Sequence, residues 1–291
     1  MCNDVPTFHQ ISQKQGPSSG LLGRLVHRLY YLYDRRENRK VDLTLFLSRW
    51  AESEFKLIYP AKTGVVRSGA DPDRFRAGGD REKIRKRYGY RAEDFVLLWL
   101  GIFMPHRRLQ DAIDAVAHLK QRGIRTKLLL AGSGDAHPSY FQSLKERVQA
   151  SGLQEDVTFA GKVDDEEIRD YYCACDAFVF PNELQTWGLA VLEAMACGCP
   201  VLVSEGAAVH EILTDNETAV LFPARQPDAL AVKIEMLLSY PELRRGIAEA
   251  GMQLVRTKYN WERFAEQIVQ AFRSTESDTA LKETYVPATD R

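Results

Sequence analysis

Along most of the chain, short apolar runs alternate with amphipathic stretches. FVLLWLG at 95–101 precedes a stretch from Arg108 to Gln121 with apolar residues at helical spacing, and KLLLAGSG at 127–134 precedes another from Ser139 to Ser151. The pattern continues: VTFAG (157–161) is followed by DDEEIRDYYCAC, AFVFP (177–181) by TWGLAVLEAMA, PVLVS (200–204) by AAVHEIL, and AVLFP (219–223) by PDALAVKIEMLL. These six strand-helix units predict an α/β domain with a doubly wound parallel sheet clothed by helices on both faces.

Both ends depart from this rhythm. PELRRGIAEAGMQLVRTKY and NWERFAEQIVQAFRS read as two helices with no strand between them, and residues 275–291 carry no period and read as a disordered polar tail. Residues 1–79 hold a basic helix-like stretch within 19–40, a strand-like LTLFLS (43–48), a helix near 49–57 and TGVVRSGADPDRF. That is too little for a sheet of its own. The expected organisation is a partial α/β domain over 1–79 ending at Gly78-Gly79, a complete domain over 80–258, a further helix over 259–274 and the tail.

Composition adds exclusions. A net charge of −1 over 291 residues gives no global attraction to nucleic acid, and the longest apolar run, Phe95 to Met104, is too short to span a bilayer. The expectation is a cytoplasmic protein. The stretch 19–40, with six Lys or Arg against two acids, is a candidate for peripheral contact with an anionic membrane at its inner face; a solvated helix face is the blander alternative. Five cysteines favour a reducing compartment, and the C-x-C pairs Cys173/Cys175 and Cys197/Cys199 read as buried, inert thiols rather than metal ligands.

In open α/β sheets ligands bind at the carboxyl ends of strands, so the chemistry belongs at the strand-helix junctions. In PNELQTWGL, Thr186 is a candidate N-cap for a helix starting at Trp187, leaving the amides of Gly188 and Leu189 and the helix dipole to meet an anion. Glu193 returns to nearly the same face two turns on and suits the hydroxyls of a ribose. A nucleotide diphosphate fits this junction, and so does a surface Glu on an ordinarily capped helix. At the first junction, Arg107 and Arg108 open a helix whose dipole opposes their charge, which calls for a compensating anion such as phosphate.

QTWGLAVLEAMACGCPV resembles the signature of the retaining GT-B glycosyltransferases of glycosyltransferase family 4, a pair of glutamates separated by seven residues in Glu-x-Phe-Gly-Leu-x-x-Leu-Glu-Ala-Met-Ala-x-Gly-x-Pro-Val. VVRSGADPDRF, LLLAGSGD, VTFAGKV and SEGAAVHEIL stand in the family's order, so the resemblance covers roughly residues 40–273. It implies a Rossmann-like domain that holds a nucleotide-diphosphate sugar and transfers the sugar, with retention, to a sugar or lipid-linked acceptor in polysaccharide or glycoconjugate assembly. No metal and no cofactor is implied. Carried over, Glu193 bonds the donor ribose, the amides of Trp187, Gly188 and Leu189 meet the diphosphate and sugar, Arg107 takes the place of a phosphate-binding lysine, and Lys162 and Val163 flank the base.

Three departures qualify the resemblance. Gln185 stands where the family has its first glutamate, and Glu183, two residues back on an extended segment, is the expected substitute. Ile102 replaces an arginine, with Arg108 as the expected second cation. Most of the family's N-terminal acceptor domain has no counterpart; His9 and His27 match no motif, His106 reads as a loop residue, and His210 is a candidate contact for a sugar hydroxyl or an ordinary helix-start residue. The alternatives are therefore a nucleotide-sugar-binding fragment without catalysis and a GT-B sugar-nucleotide epimerase.

Overall fold

In the computed structural model the six apolar runs become the strands of one parallel sheet. Residues 41–56 and 62–276 are described, together with Leu29, Leu32, Tyr33 and Arg36; the rest of the basic stretch and the tail beyond Glu276 lie outside the described residues. The chain divides into two compact units, 69–261 and a smaller one holding residues up to Ser68 together with those from Glu262 on. This division falls ten residues before the expected Gly78-Gly79 boundary, because Ala70 is tied to the far end of the larger unit: its amide donates to the Tyr259 carbonyl at 3.0 Å.

The smaller unit contains a β-α-β element: β1 (Leu43–Phe46), α1 (Arg49–Phe55) and β2 (Lys62–Val65), the strands parallel with Leu43 opposite Lys62. Ser48 caps α1 by accepting from the Ala51 amide at 3.0 Å.

The larger unit runs α2 (Arg81–Arg87), β3 (Val96–Leu100), α3 (Leu109–Gln121), β4 (Lys127–Ala131), α4 (Pro138–Ala150), β5 (Val157–Gly161), α5 (Ile168–Ala174), β6 (Ala177–Phe180), α6 (Leu189–Ala196), β7 (Val201–Ser204), β8 (Val220–Phe222), α7 (Pro227–Ser239) and α8 (Pro241–Lys258). A last helix, α9 (Trp261–Glu276), leads into the smaller unit, where Val269 and Phe272 are exposed. The sheet order is β5-β4-β3-β6-β7-β8. Its central strands are buried on both faces, which is why they read as unbroken apolar runs. Leu109, Ala112, Ile113, Val116 and Leu119 form the buried stripe of α3, which packs on α7, while α6 packs on α8 and α5. AAVHEIL, expected as an α-helix, forms a 3-10 turn over Ala208–Ile212 instead.

Two features outside the periodicity hold the ends of the sheet. At the amino edge, buried Arg85 of α2 donates to the carbonyls of Ala174, Arg91 and Asp94 and to the Asp176 carboxylate, whose Oδ2 also accepts the Val96 amide at 2.8 Å. At the carboxyl edge, Gly132 has φ +142° and a Cβ there would lie 1.7 Å from the Gly101 carbonyl oxygen, so only glycine permits this approach of the β3 and β4 ends.

Candidate functional site

The strand order reverses between β3 and β6, since β3 continues to β4 and β5 on one side and β6 to β7 and β8 on the other. Open α/β sheets place their ligand crevice at such a switch point. The two junctions singled out in the sequence leave these two strands, and the Glu183 amide donates to the His106 carbonyl at 2.8 Å, joining them.

After β3, Gly101 takes φ +148° and a 3-10 turn over Pro105–Arg107 follows. A Cβ at Gly101 would stand 2.6 Å from Arg107 Nη1, so the Arg107 guanidinium lies over the end of the strand. Arg108 takes left-handed φ 52° as it opens α3, and its guanidinium grips Asp111 in the first turn at 3.0 and 2.7 Å. The anion that offsets its charge at this helix start is thus internal. Arg108 is turned to Asp111, and Ile102 is exposed. Burial raises the Asp111 carboxyl above its usual range, with Arg108 pulling the other way.

After β6, the expected N-cap is displaced. Gly188, not Thr186, caps α6, which starts at Leu189, and no side chain bonds the cap. Helical growth towards Thr186 would have to move Gly188 off the 3-10 turn packed on it: a Cβ at 188 would meet Val209 Cγ1 at 2.7 Å. The amides of Trp187, Gly188 and Leu189 donate to no acceptor among the described residues, and the buried Trp187 indole N–H also has none. Those amides and the dipole make this helix start suited to negative charge.

Glu183 and Gln185 do not point the same way. Leu184, between them, has left-handed φ 54°, which breaks the extended alternation on which that expectation rests. Glu183 turns to Arg225 from the loop after β8, paired at 2.5 and 2.9 Å. Gln185 is buried and accepts from Asn182 Nδ2 at 2.6 Å, while Asn182 Oδ1 accepts from Trp99 Nε1 at 3.3 Å. The amide at 185 is thus part of a polar chain running under the switch point. The Ala208 amide donates to the Gln185 carbonyl at 2.9 Å, and His210 Nδ1 bonds the Ala207 carbonyl, so the 3-10 turn closes the third side.

Glu193 lies in α6 and accepts from the buried Tyr172 hydroxyl at 3.0 Å. Burial raises its carboxyl pKa; the Tyr172 bond and Arg74 oppose the rise, and Asp165 adds to it. Lys162 is exposed and Val163 half-buried directly after β5, two strands away from the switch point. Among the described residues no cluster of His, Cys, Asp or Glu has a metal-holding arrangement, and no helix is long and apolar enough to cross a membrane.

Sequence reasoning did not find Tyr172, Asn182, Arg225 or Asp111. Asp111 was detectable, three residues after Arg108 at a helix start. Tyr172 and Arg225 reach the site from other segments and leave no local signal.

A profile of the glycosyl transferases group 1 family matches residues 80–254, more than half of the chain. The chain belongs to that family, and its fold is that of the GT-B glycosyltransferases. It is 29% identical over 239 residues to the D-inositol 3-phosphate glycosyltransferase of Geodermatophilus obscurus, covering 79% of this chain and 51% of that protein. Sucrose-phosphate synthase from Thermosynechococcus elongatus superimposes with a TM-score of 0.75 at 25% identity, covering 85% of this chain and 61% of that one. Anabaena HepE, crystallised with UDP and glucose, gives 0.75 at 21% identity, covering 84% and 66%. This chain thus spans about half the length of the inositol phosphate glycosyltransferase.

Proposed function

We propose that this chain holds the diphosphate of a nucleotide sugar at the β3–β6 switch point and takes part in transferring the sugar, with retention of configuration, in polysaccharide or glycoconjugate assembly. The observation that carries the reading is the start of α6: among the described residues the amides of Trp187, Gly188 and Leu189 stand without acceptors, and Glu193 follows on the same short helix. In this reading the amides take the diphosphate, Arg107 adds a cation from the facing junction and Glu193 bonds the ribose hydroxyls. Lys162 and Val163 lie towards the base. A UDP complex of HepE, a protein of the same fold, supports the assignment.

In this reading the acceptor is a sugar or a lipid-linked acceptor. No metal enters the proposed site. Calorimetric titration with UDP, GDP and ADP, with and without magnesium, tests the reading. One nucleotide should bind equally well in both conditions and be lost in Glu193→Ala. Failure of all three to bind the folded chain would refute it.

A second reading, binding without turnover, is favoured by Gln185, which offers no negative charge to an oxocarbenium-like transition state and is held by Asn182. It predicts the same titration with no release of sugar when donor and acceptor are supplied.

A further inference from the structure

α5 and α6 pack side by side. The four described cysteines lie near their ends, three buried and Cys173 half-buried, which departs from the expectation of buried thiols throughout. Between the two helices Tyr172 meets Glu193. Tyr172 is wholly buried, and its ring stands edge-on to Phe178 of β6, with centroids 5.4 Å apart, and to Phe75, 6.1 Å away. Its neighbour Tyr171 turns instead to the end of α2, where its hydroxyl meets that of Tyr88 at 2.7 Å and Arg87 at 3.2 Å. A buried phenol O–H among aromatic rings has to find an acceptor. That of Tyr172 donates to Glu193 Oε2 at 3.0 Å, and among the described residues this is the one hydrogen bond the Glu193 carboxylate receives.

We propose that Tyr172 is a positioning residue: it fixes the Glu193 carboxylate by Oε2 so that Oε1, which no described residue bonds, meets the ribose hydroxyls of the bound nucleotide. The inference rests on the reading of Glu193 given above. A glutamate on a helix is long and samples several rotamers. The phenol cannot follow it, because its ring is wedged between Phe75 and Phe178; the carboxylate must come to the phenol, which leaves it few positions.

The same bond favours the ionised carboxyl, pulling against the burial that raises its pKa. An ionised carboxylate only accepts hydrogen bonds, which suits two ribose hydroxyls that both donate. The fold alone does not call for the pair. Replacing both partners of a hydrogen bond by apolar groups of similar shape is nearly neutral, and a phenylalanine at 172 would fill the same place between the rings. What the tyrosine adds is a carboxylate held still.

The test titrates the full chain with UDP, GDP and ADP in a calorimeter, and then with the 2′,3′-dideoxy form of whichever nucleotide binds. The parent should prefer the ribonucleotide by about 10- to 100-fold, since the hydroxyls' bonds to a charged group are lost with them. In Tyr172→Phe that preference should fall by about tenfold, with the affinity for the dideoxy form unchanged. A general loosening of α6 would weaken both forms alike and leave the ratio as it was. Glu193→Asp keeps the charge but is one methylene shorter, so it cannot reach both the phenol and the ribose, and it should lose the preference to a similar degree. This second variant decides where Tyr172→Phe does not fold. A parent without the preference, or an unchanged ratio in either folded variant, would overturn the proposal. If no nucleotide binds the parent, the donor site itself falls and takes this inference with it; if the parent binds and the variants discriminate as it does, the donor site stands and Tyr172 alone is removed from it.

Discussion

Glu183 and Glu193 both follow β6, and they meet opposite surroundings. Glu183 is gripped by the two donors of Arg225, with Arg108 and Asp111 paired close by. Among the described residues Glu193 has no such cation bonded to it; it accepts a phenol hydroxyl, and burial raises its pKa. A carboxylate already neutralised by a bidentate arginine is settled within the fold. One left half-buried with a raised pKa and a neutral partner is the pattern on which the ligand role proposed above rests.

The contrast can be broken by substitution. Glu193→Ala should lower the affinity for the preferred nucleotide by about 10- to 100-fold, the 1.5–3 kcal/mol of hydrogen bonds to a charged group; unchanged affinity in calorimetry would remove Glu193 from the site. Asn182→Ala should cost about 1–3 kcal/mol in urea unfolding, because the buried Trp99 indole loses its acceptor. If stability did not change, Gln185 would not be held by a structural chain.

A pH titration sharpens the comparison. The folded pKa of Glu193 is raised, so its contribution to stability is fully present below the unfolded value of about 4.3 and is lost as pH rises through the folded value. Relative to Glu193→Gln, the parent should lose stability as pH is raised from about 4; a constant difference would show that the carboxyl is not desolvated. The smallest effect belongs to Glu183→Gln. Arg225 is half-exposed, so the change in unfolding free energy should stay below about 1 kcal/mol.

The fold was largely legible in the sequence because strands buried on both faces must be largely apolar, and the central strands β3, β6 and β7 are such runs. The site was legible only where it is local. The place of Glu193 within a helix after β6 was readable, since helical spacing is a property of adjacent residues. The cap was misplaced by two residues because Gly188 is selected by Val209, which lies elsewhere in the chain. The left-handed turn at Leu184 sent Glu183 and Gln185 apart, and leucine carries no sign of such a turn. Arg225 arrives from the loop after β8, beyond the reach of any pattern within the junction.

Arg85 at the amino edge determines where the chain can be cut. Its donors cover carbonyls on both sides of the β3 entry and the carboxylate of Asp176, which in turn fixes the first residue of that strand. A shortened protein beginning at β3 would retain every strand of the sheet and still leave these acceptors bare. The smallest piece able to fold as the larger unit therefore starts before Arg81, at the helix rather than at the first strand.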